Sequence, residues 1–241
     1  MGSLAVGLPL YVFPRPFGRV VGLSGDDTFI YELGGAAMLG YAVALGLGIR
    51  DALWSPLRFV LVATYGLAAV AFLAGFVAIA SNQINGLVVL VSLWAIVVAR
   101  TVGQILVAHR GAVAGPRDVA TWVAVVLALA TLSAAVFGLG PQLVGPFASL
   151  MGYKGTDEYV YRLAGAACFG YAMMGIQELR SLHWDDTRLP NVMALVFNGL
   201  AFLASLFEIL AGRTTILVIL VALAAGFFTV AIAAILVRRG R

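Results

Sequence analysis

The strongest constraint on this chain is a series of long apolar blocks that contain no charged residue. Residues 59–80 form one such block and residues 214–237 form another. Runs of about 20 apolar residues match the ~30 Å hydrocarbon core of a lipid bilayer. Because lipid offers the backbone no hydrogen-bond partner, these runs predict membrane-spanning helices, and their continuity does not fit the alternating pattern of barrel strands.

The composition indicates the same class of protein. Hydrophobic residues make up 62% of the 241 residues and charged residues 11%, whereas a soluble domain carries about 25% charged residues. The sequence therefore predicts an all-α, polytopic transmembrane helical bundle. We assign seven spans, to residues 30–48, 59–80, 86–108, 119–139, 159–177, 191–211 and 214–237.

The basic residues are distributed unequally between the two sides of these spans. The positive-inside rule places the richer side in the cytoplasm, which predicts a multi-pass protein of the inner or plasma membrane with its N-terminus outside and its C-terminus inside. The richer side has Arg50, Arg58, Arg110, Arg117, Arg180, Arg188, Arg238, Arg239 and Arg241, and the other side has Arg15, Arg19, Lys154 and Arg213.

Two stretches of the chain repeat each other at an offset of 130 residues. GLSGDDTFIYELGGAAMLGYA (22–42) matches GYKGTDEYVYRLAGAACFGYA (152–172) at 11 of 21 positions. Such self-similarity predicts a tandem duplication, with repeat 1 over residues 1–111 and repeat 2 over residues 112–241. Equivalent spans are four helices apart, so the repeats are parallel and related by a pseudo-twofold axis along the membrane normal, unlike inverted transporter repeats.

The first repeat has only a stub of its opening helix. Residues 3–13 align with the last part of the fourth span but are too short to cross a bilayer, and they lack the basic region of a signal peptide. Two interpretations stay open. Either the true start lies upstream of Met1, which would give eight spans, or the helix was lost, which the coherent charge pattern favours.

Small residues recur at helical spacing within the repeated stretch. Ala36 and Gly40 are four residues apart, as are Ala166 and Gly170. Such pairs let two helix backbones approach closely in lipid. We therefore predict tight packing between the first and fifth spans, with a ligand groove lined by Gly and Tyr as the alternative.

Both repeats carry a Pro-Phe pair, then glycines and an aspartate before a helix rich in small residues. The two copies are PFGRVVGLSGDDTFIYELGGAAMLGYAVA (16–44) and PFASLMGYKGTDEYVYRLAGAACFGYAMM (146–174). This pattern resembles the DoxX-like families of small four-helix bacterial membrane proteins, here doubled. The resemblance implies a compact four-helix bundle in each unit and transfers no catalytic residue to this chain.

Polar residues inside the spans are the first candidates for function, because each is costly in lipid. Glu32 and Arg162 occupy equivalent positions in the two repeats with opposite charges, so an inter-repeat ion pair is one hypothesis and separate hydration at the interface is the other. Arg100, Gln104 and Asn198 lie at similar depth and could form a polar site for an anionic or carbonyl-bearing ligand. Snorkelling of Arg100 to the headgroups is the alternative.

The loops add two further groups. Before the first and fifth spans lie four carboxylates that predict helix capping, with a divalent cation as the alternative, namely Asp26, Asp27, Asp157 and Glu158. Around the stretch HWDD (183–186), an enzymatic site would require convergence of His183, Asp185 and Asp186 with Asp118 or Glu178. No cofactor or metal motif occurs in the sequence.

These patterns favour a non-enzymatic integral membrane protein that is an accessory or structural subunit, or a scaffold, of a membrane complex. A small permease or a carrier of lipid or small molecules, with its site around Arg100, is the alternative, and a membrane enzyme acting on lipid is the third candidate. The predicted partners are the lipid bilayer and other membrane subunits or a second copy. The net charge of +4 needs no nucleic acid to explain it.

Overall fold

The computed structural model describes residues 2–109, 116–144 and 147–239, with the side chain of Arg239 left out. Within these ranges the chain is helical and has no strand, as predicted. The helices are α1 (Gly2–Val12), α2 (Pro14–Val20), α3 (Thr28–Arg50), α4 (Trp54–Ala80), α5 (Gly86–Ala108), α6 (Thr121–Leu143), α7 (Phe147–Leu150), α8 (Glu158–Ser181), α9 (Trp184–Leu210) and α10 (Ile216–Arg239).

Six of these helices, α3, α4, α5, α6, α9 and α10, are long and apolar enough to cross a membrane. This confirms the class of a helical membrane protein. The predicted fifth span corresponds to α8, which has 24 residues but is more polar because it carries Glu158, Arg162, Glu178 and Arg180. Helix α1 has 11 residues, and at about 1.5 Å per residue it is too short to cross a bilayer.

The helices pair in the same way in the two halves of the chain. In the first half α1 packs on α3 and α4 packs on α5, and in the second half α6 packs on α8 and α9 packs on α10. Between the halves, α4 packs on α8 and α3 packs on α9. The halves are therefore interlocked, and their central helices α3, α4, α8 and α9 surround one shared core.

Close backbone contact determines how the short helix α1 sits on α3. A Cβ atom on Gly35 would lie 2.6 Å from the backbone nitrogen of Tyr11. The Tyr11 hydroxyl donates a hydrogen bond of 2.9 Å to the carbonyl oxygen of Leu200, on α9. Helix α1 is thus anchored to both halves.

Several predictions fall on residues outside the described ranges. They are the start at Met1, the boundary between repeats at residues 111 and 112, the basic residues Arg110 and Arg241, and Pro146 of the second Pro-Phe pair.

Candidate functional site

The centre of the shared core contains two tyrosines that contact each other. The rings of Tyr41 and Tyr171 are edge to face, with 5.3 Å between their centroids. The Tyr41 hydroxyl donates to the carbonyl oxygen of Ala167 at 3.2 Å, and the Tyr171 hydroxyl donates to that of Ala37 at 3.2 Å. Each half therefore places a tyrosine hydroxyl against the helix backbone of the other half.

Two glycines make room for these tyrosines. A Cβ atom on Gly40 would overlap the hydroxyl of Tyr171, and one on Gly170 would overlap the hydroxyl of Tyr41. Ala36 and Ala166, one turn earlier on the same helices, are 0% exposed. Gly40, Gly170 and Ala166 thus lie in the buried contact between the halves, which consists of apolar side chains and the two tyrosines.

Two loop carboxylates also connect the halves. Asp27 accepts hydrogen bonds from the backbone N–H groups of Thr156 at 2.9 Å and Asp157 at 2.7 Å. Asp157 accepts from the N–H of Gly25 at 3.1 Å and from the hydroxyl of Tyr31 at 2.7 Å. We predicted that these carboxylates cap their own helices, and this is wrong, because neither side chain bonds the first turn of its helix. Asp27 and Asp157 instead accept hydrogen bonds from backbone N–H groups of the opposite loop.

Burial at this loop contact affects acid–base behaviour. Desolvation raises the pKa of Asp27 above its ordinary value, although the hydrogen bonds from Asp157 and Thr156 lower it in part. The same cause, with help from the nearby negative charge of Asp27, raises the pKa of Tyr153. In the part of the chain that the structure describes, no three His, Cys, Asp or Glu residues form a group that could hold a metal ion.

The proposed ion pair between Glu32 and Arg162 is absent from the structure. Arg162 pairs with Glu158 one turn away on its own helix, at 2.6 Å. Glu32 interacts electrostatically with Glu208 and Arg213. The side chains of Glu208 and Arg213 form an ion pair with each other at 2.7 Å. Arg162 instead uses the i,i+4 partner that its own helix provides.

The proposed site of Arg100, Gln104 and Asn198 is not assembled either. Arg100 and Gln104 are exposed on the side of α5 that faces away from the bundle. Asn198 lies on α9, where its side-chain amide donates to the carbonyl oxygen of Ala194 at 2.8 Å. The three residues do not share a face, because α5 packs on α4 rather than on α9.

The ends of α8 and α9 carry the polar cluster that an enzymatic site would need, but its members point in different directions. Asp186 is 1% exposed and accepts hydrogen bonds from the hydroxyls of Ser55 and Ser181. His183 lies 3.5 Å from Asp118 and 3.7 Å from the exposed Asp185. The buried Asp186 and the two carboxylates near His183 therefore have different partners.

A cavity that sequence reasoning missed lies mainly within the second half, and Ile30 and Leu33 of α3 complete its wall. It has a volume of about 140 Å³, lies between α6, α8, α9 and α10, and is lined mainly by apolar side chains, with Asn198 among the polar ones. Along α8 it extends from Tyr161 to Glu178, a distance of roughly 25 Å at 1.5 Å per residue. Its polar end is formed by Glu178, 4% exposed, and Asn191, 1% exposed. The sequence signal was the run of small residues on its walls, such as Ala130, Ala134 and Ala164.

The fold and these sites define the class as a helical membrane protein with an interlocked core. Comparison of the chain with protein-family models, with curated proteins and with solved structures found no match. The resemblance to DoxX-like families therefore stays a prediction that rests on the residues quoted above.

Proposed function

We propose that this protein is a non-enzymatic structural subunit of a membrane complex, which binds a partner membrane protein through α5. In this proposal α8 is a seventh span, the N-terminus is outside, and the C-terminus is in the cytoplasm. The two halves are parallel, DoxX-like repeats related by a pseudo-twofold axis along the membrane normal. The reciprocal contacts of Tyr41 with Ala167 and of Tyr171 with Ala37 support this relation, because both pairs follow the 130-residue offset.

The structural role is supported by the interface between the halves, which is closely packed with buried side chains. Transporters that work by alternating access move one repeat against the other. Here such movement would separate Tyr41 from Gly170 and Tyr171 from Gly40. It would also break the hydrogen bonds that Asp27 and Asp157 each accept from the loop of the opposite half. A rigid interface of this kind fits a scaffold better than a carrier.

The surface of α5 indicates where a partner would bind. Along its outward face, exposed residues follow each other at alternating spacings of three and four, which is the pattern of a helix–helix seam. This α5 seam consists of Leu90, Leu93, Val97, Arg100, Gln104 and Val107.

Arg100 specifies the chemistry of the partner. It lies in the middle of the α5 seam, at least eight residues from either end of the helix, and it makes no salt bridge with a described residue. A charged residue within a membrane helix usually faces a partner of opposite charge. Among the described residues of this chain, no exposed carboxylate lies at the middle of a spanning helix, so a second copy has no complement to offer. We infer a helix of a different membrane protein that carries an Asp or Glu at this depth.

The test is purification from the native membrane in a gentle detergent, followed by mass spectrometry of the stoichiometric partners. We expect a membrane protein with an intramembrane carboxylate, retained with Arg100→Lys and lost with Arg100→Leu. Thr101→Leu is the matched control, since Thr101 is exposed on the same helix but lies off the seam.

The decisive step exchanges the charges. Arg100→Glu should lose the partner, and replacing the partner's carboxylate with Arg should restore the complex. A partner that is retained equally by Arg100→Leu, or a seam that mediates only association between copies of this chain, would overturn the proposal.

A further inference from the structure

We propose that the cavity between α6, α8, α9 and α10 binds a single-chain amphiphile whose head group donates a hydrogen bond to Asn191. This ligand site is separate from the α5 seam and does not depend on the partner proposed above. Its evidence is the shape of the cavity, the chemistry of its walls, and one buried polar atom that bonds none of the residues the structure describes.

The walls of the cavity require an apolar ligand. They include Phe137, Met174, Phe228 and Ile232, together with small residues such as Ala164 that leave the space open. Apolar cavities of about 150 Å³ stay dry and take up small apolar guests. A cavity of about 140 Å³ lined in this way is therefore suited to hydrocarbon rather than to water.

The shape of the cavity selects among apolar ligands. The lining residues of α8 extend from Tyr161 through Cys168 to Glu178, which is most of the length of that helix. The cavity is therefore elongated along α8, and an elongated apolar space matches a hydrocarbon chain better than a compact ring system.

The polar end of the cavity defines the head group. The side-chain N–H₂ of Asn191 donates to the carbonyl oxygen of Thr187 at 2.8 Å and contacts Glu178 Oε1 at 3.4 Å. The oxygen Oδ1 of Asn191 is buried and accepts no hydrogen bond from a described residue. A buried acceptor without a donor is costly, and a hydroxyl or amine at this end of the chain would satisfy it.

The experiment uses the full-length protein in lipid nanodiscs and a photoreactive analogue of 1-decanol with a diazirine at the tail. We expect covalent insertion into the cavity-lining stretch of α8 around Cys168, located by mass spectrometry of peptides. Unlabelled 1-decanol should suppress this labelling, and decane should need at least a tenfold higher concentration, because it has no donor for Asn191.

Two variants complete the test. Asn191→Leu keeps a similar volume but removes the acceptor, so 1-decanol should lose its advantage over decane. Thr229→Val is the matched control, because the hydroxyl of Thr229 bonds the carbonyl oxygen of Ala225 in its own helix and does not line the cavity. Equal competition by decane and 1-decanol in the wild-type protein would overturn the proposal. So would labelling confined to lipid-facing residues such as Leu132.

Discussion

At the scale of single residues, the distinction between Gly40 and Gly46 shows what the shared core requires. Both glycines lie on α3, but a Cβ atom on Gly40 would overlap the Tyr171 hydroxyl and approach the carbonyl oxygen of Met193 to 2.8 Å. A Cβ atom on Gly46 would meet nothing within 4 Å. The same substitution should therefore have opposite consequences at the two positions.

We expect Gly40→Ala to lower the free energy of unfolding by about 1–3 kcal/mol, the usual cost of overpacking a core. Gly46→Ala should be neutral or slightly stabilising, because alanine has the higher helix propensity. The measurement is the midpoint of thermal unfolding in detergent, followed by circular dichroism.

A second variant identifies the cause of this loss. Tyr171→Phe removes the hydroxyl that the new methyl group would meet, so it should restore part of the stability of Gly40→Ala. No recovery in the double variant would show that the contact with Tyr171 is not what limits residue 40.

At the scale of the helices, α8 is the element whose position relative to the membrane matters most. If α8 crosses, the loop before it and the loop after it lie on opposite sides. The chain offers a clean test of this, since Cys168 is its only cysteine.

In a Cys168→Ser background we expect Lys154→Cys to react with a membrane-impermeant maleimide added to intact cells. His183→Cys should react only after the membrane is made permeable, because the basic residues at the C-terminal end of α8 favour the cytoplasm. The variant Gln83→Cys, in the exposed loop before α5, is the control for the outer side. Reaction of Lys154→Cys and His183→Cys from the same side would contradict a crossing by α8.

The helices could be predicted from the sequence because a run of apolar residues has only one stable form in lipid. The sequence did not allow us to predict which face of each helix is buried. The depths predicted for Arg100 and Asn198 follow from their positions along their helices, whereas the direction of each side chain depends on which helices pack together. In a membrane protein the lipid-facing and buried sides are both apolar, so the pattern does not separate them.

Two other features depend on tertiary structure in the same way. The cavity beside Asn191 results from the fit of several helices, and no single helix encodes its volume. The carboxylates of Asp27 and Asp157 resemble helix caps in sequence, but the approach of the two loops gives them partners in the opposite half.

At the scale of the whole molecule, the halves share their core rather than forming separate units. Helix α4 packs on α8 and α3 packs on α9, so neither half can lose its structure without exposing the other. We therefore expect one cooperative unfolding transition, with the same midpoint by circular dichroism and by tryptophan fluorescence. Trp54 and Trp94 report on the first half, and Trp122 and Trp184 report on the second. Two transitions with separate midpoints would contradict a shared core.

The contacts of the two tyrosines also impose an order on biosynthesis. Tyr41 leaves the ribosome 130 residues before Tyr171, an interval of roughly 6–26 s at ordinary rates of translation. During that interval the first half is in the membrane while the space above Gly40 has no tyrosine to fill it. The central core can therefore close only after most of the chain has been made, and a prematurely terminated chain would leave the membrane insertion machinery with that space still open.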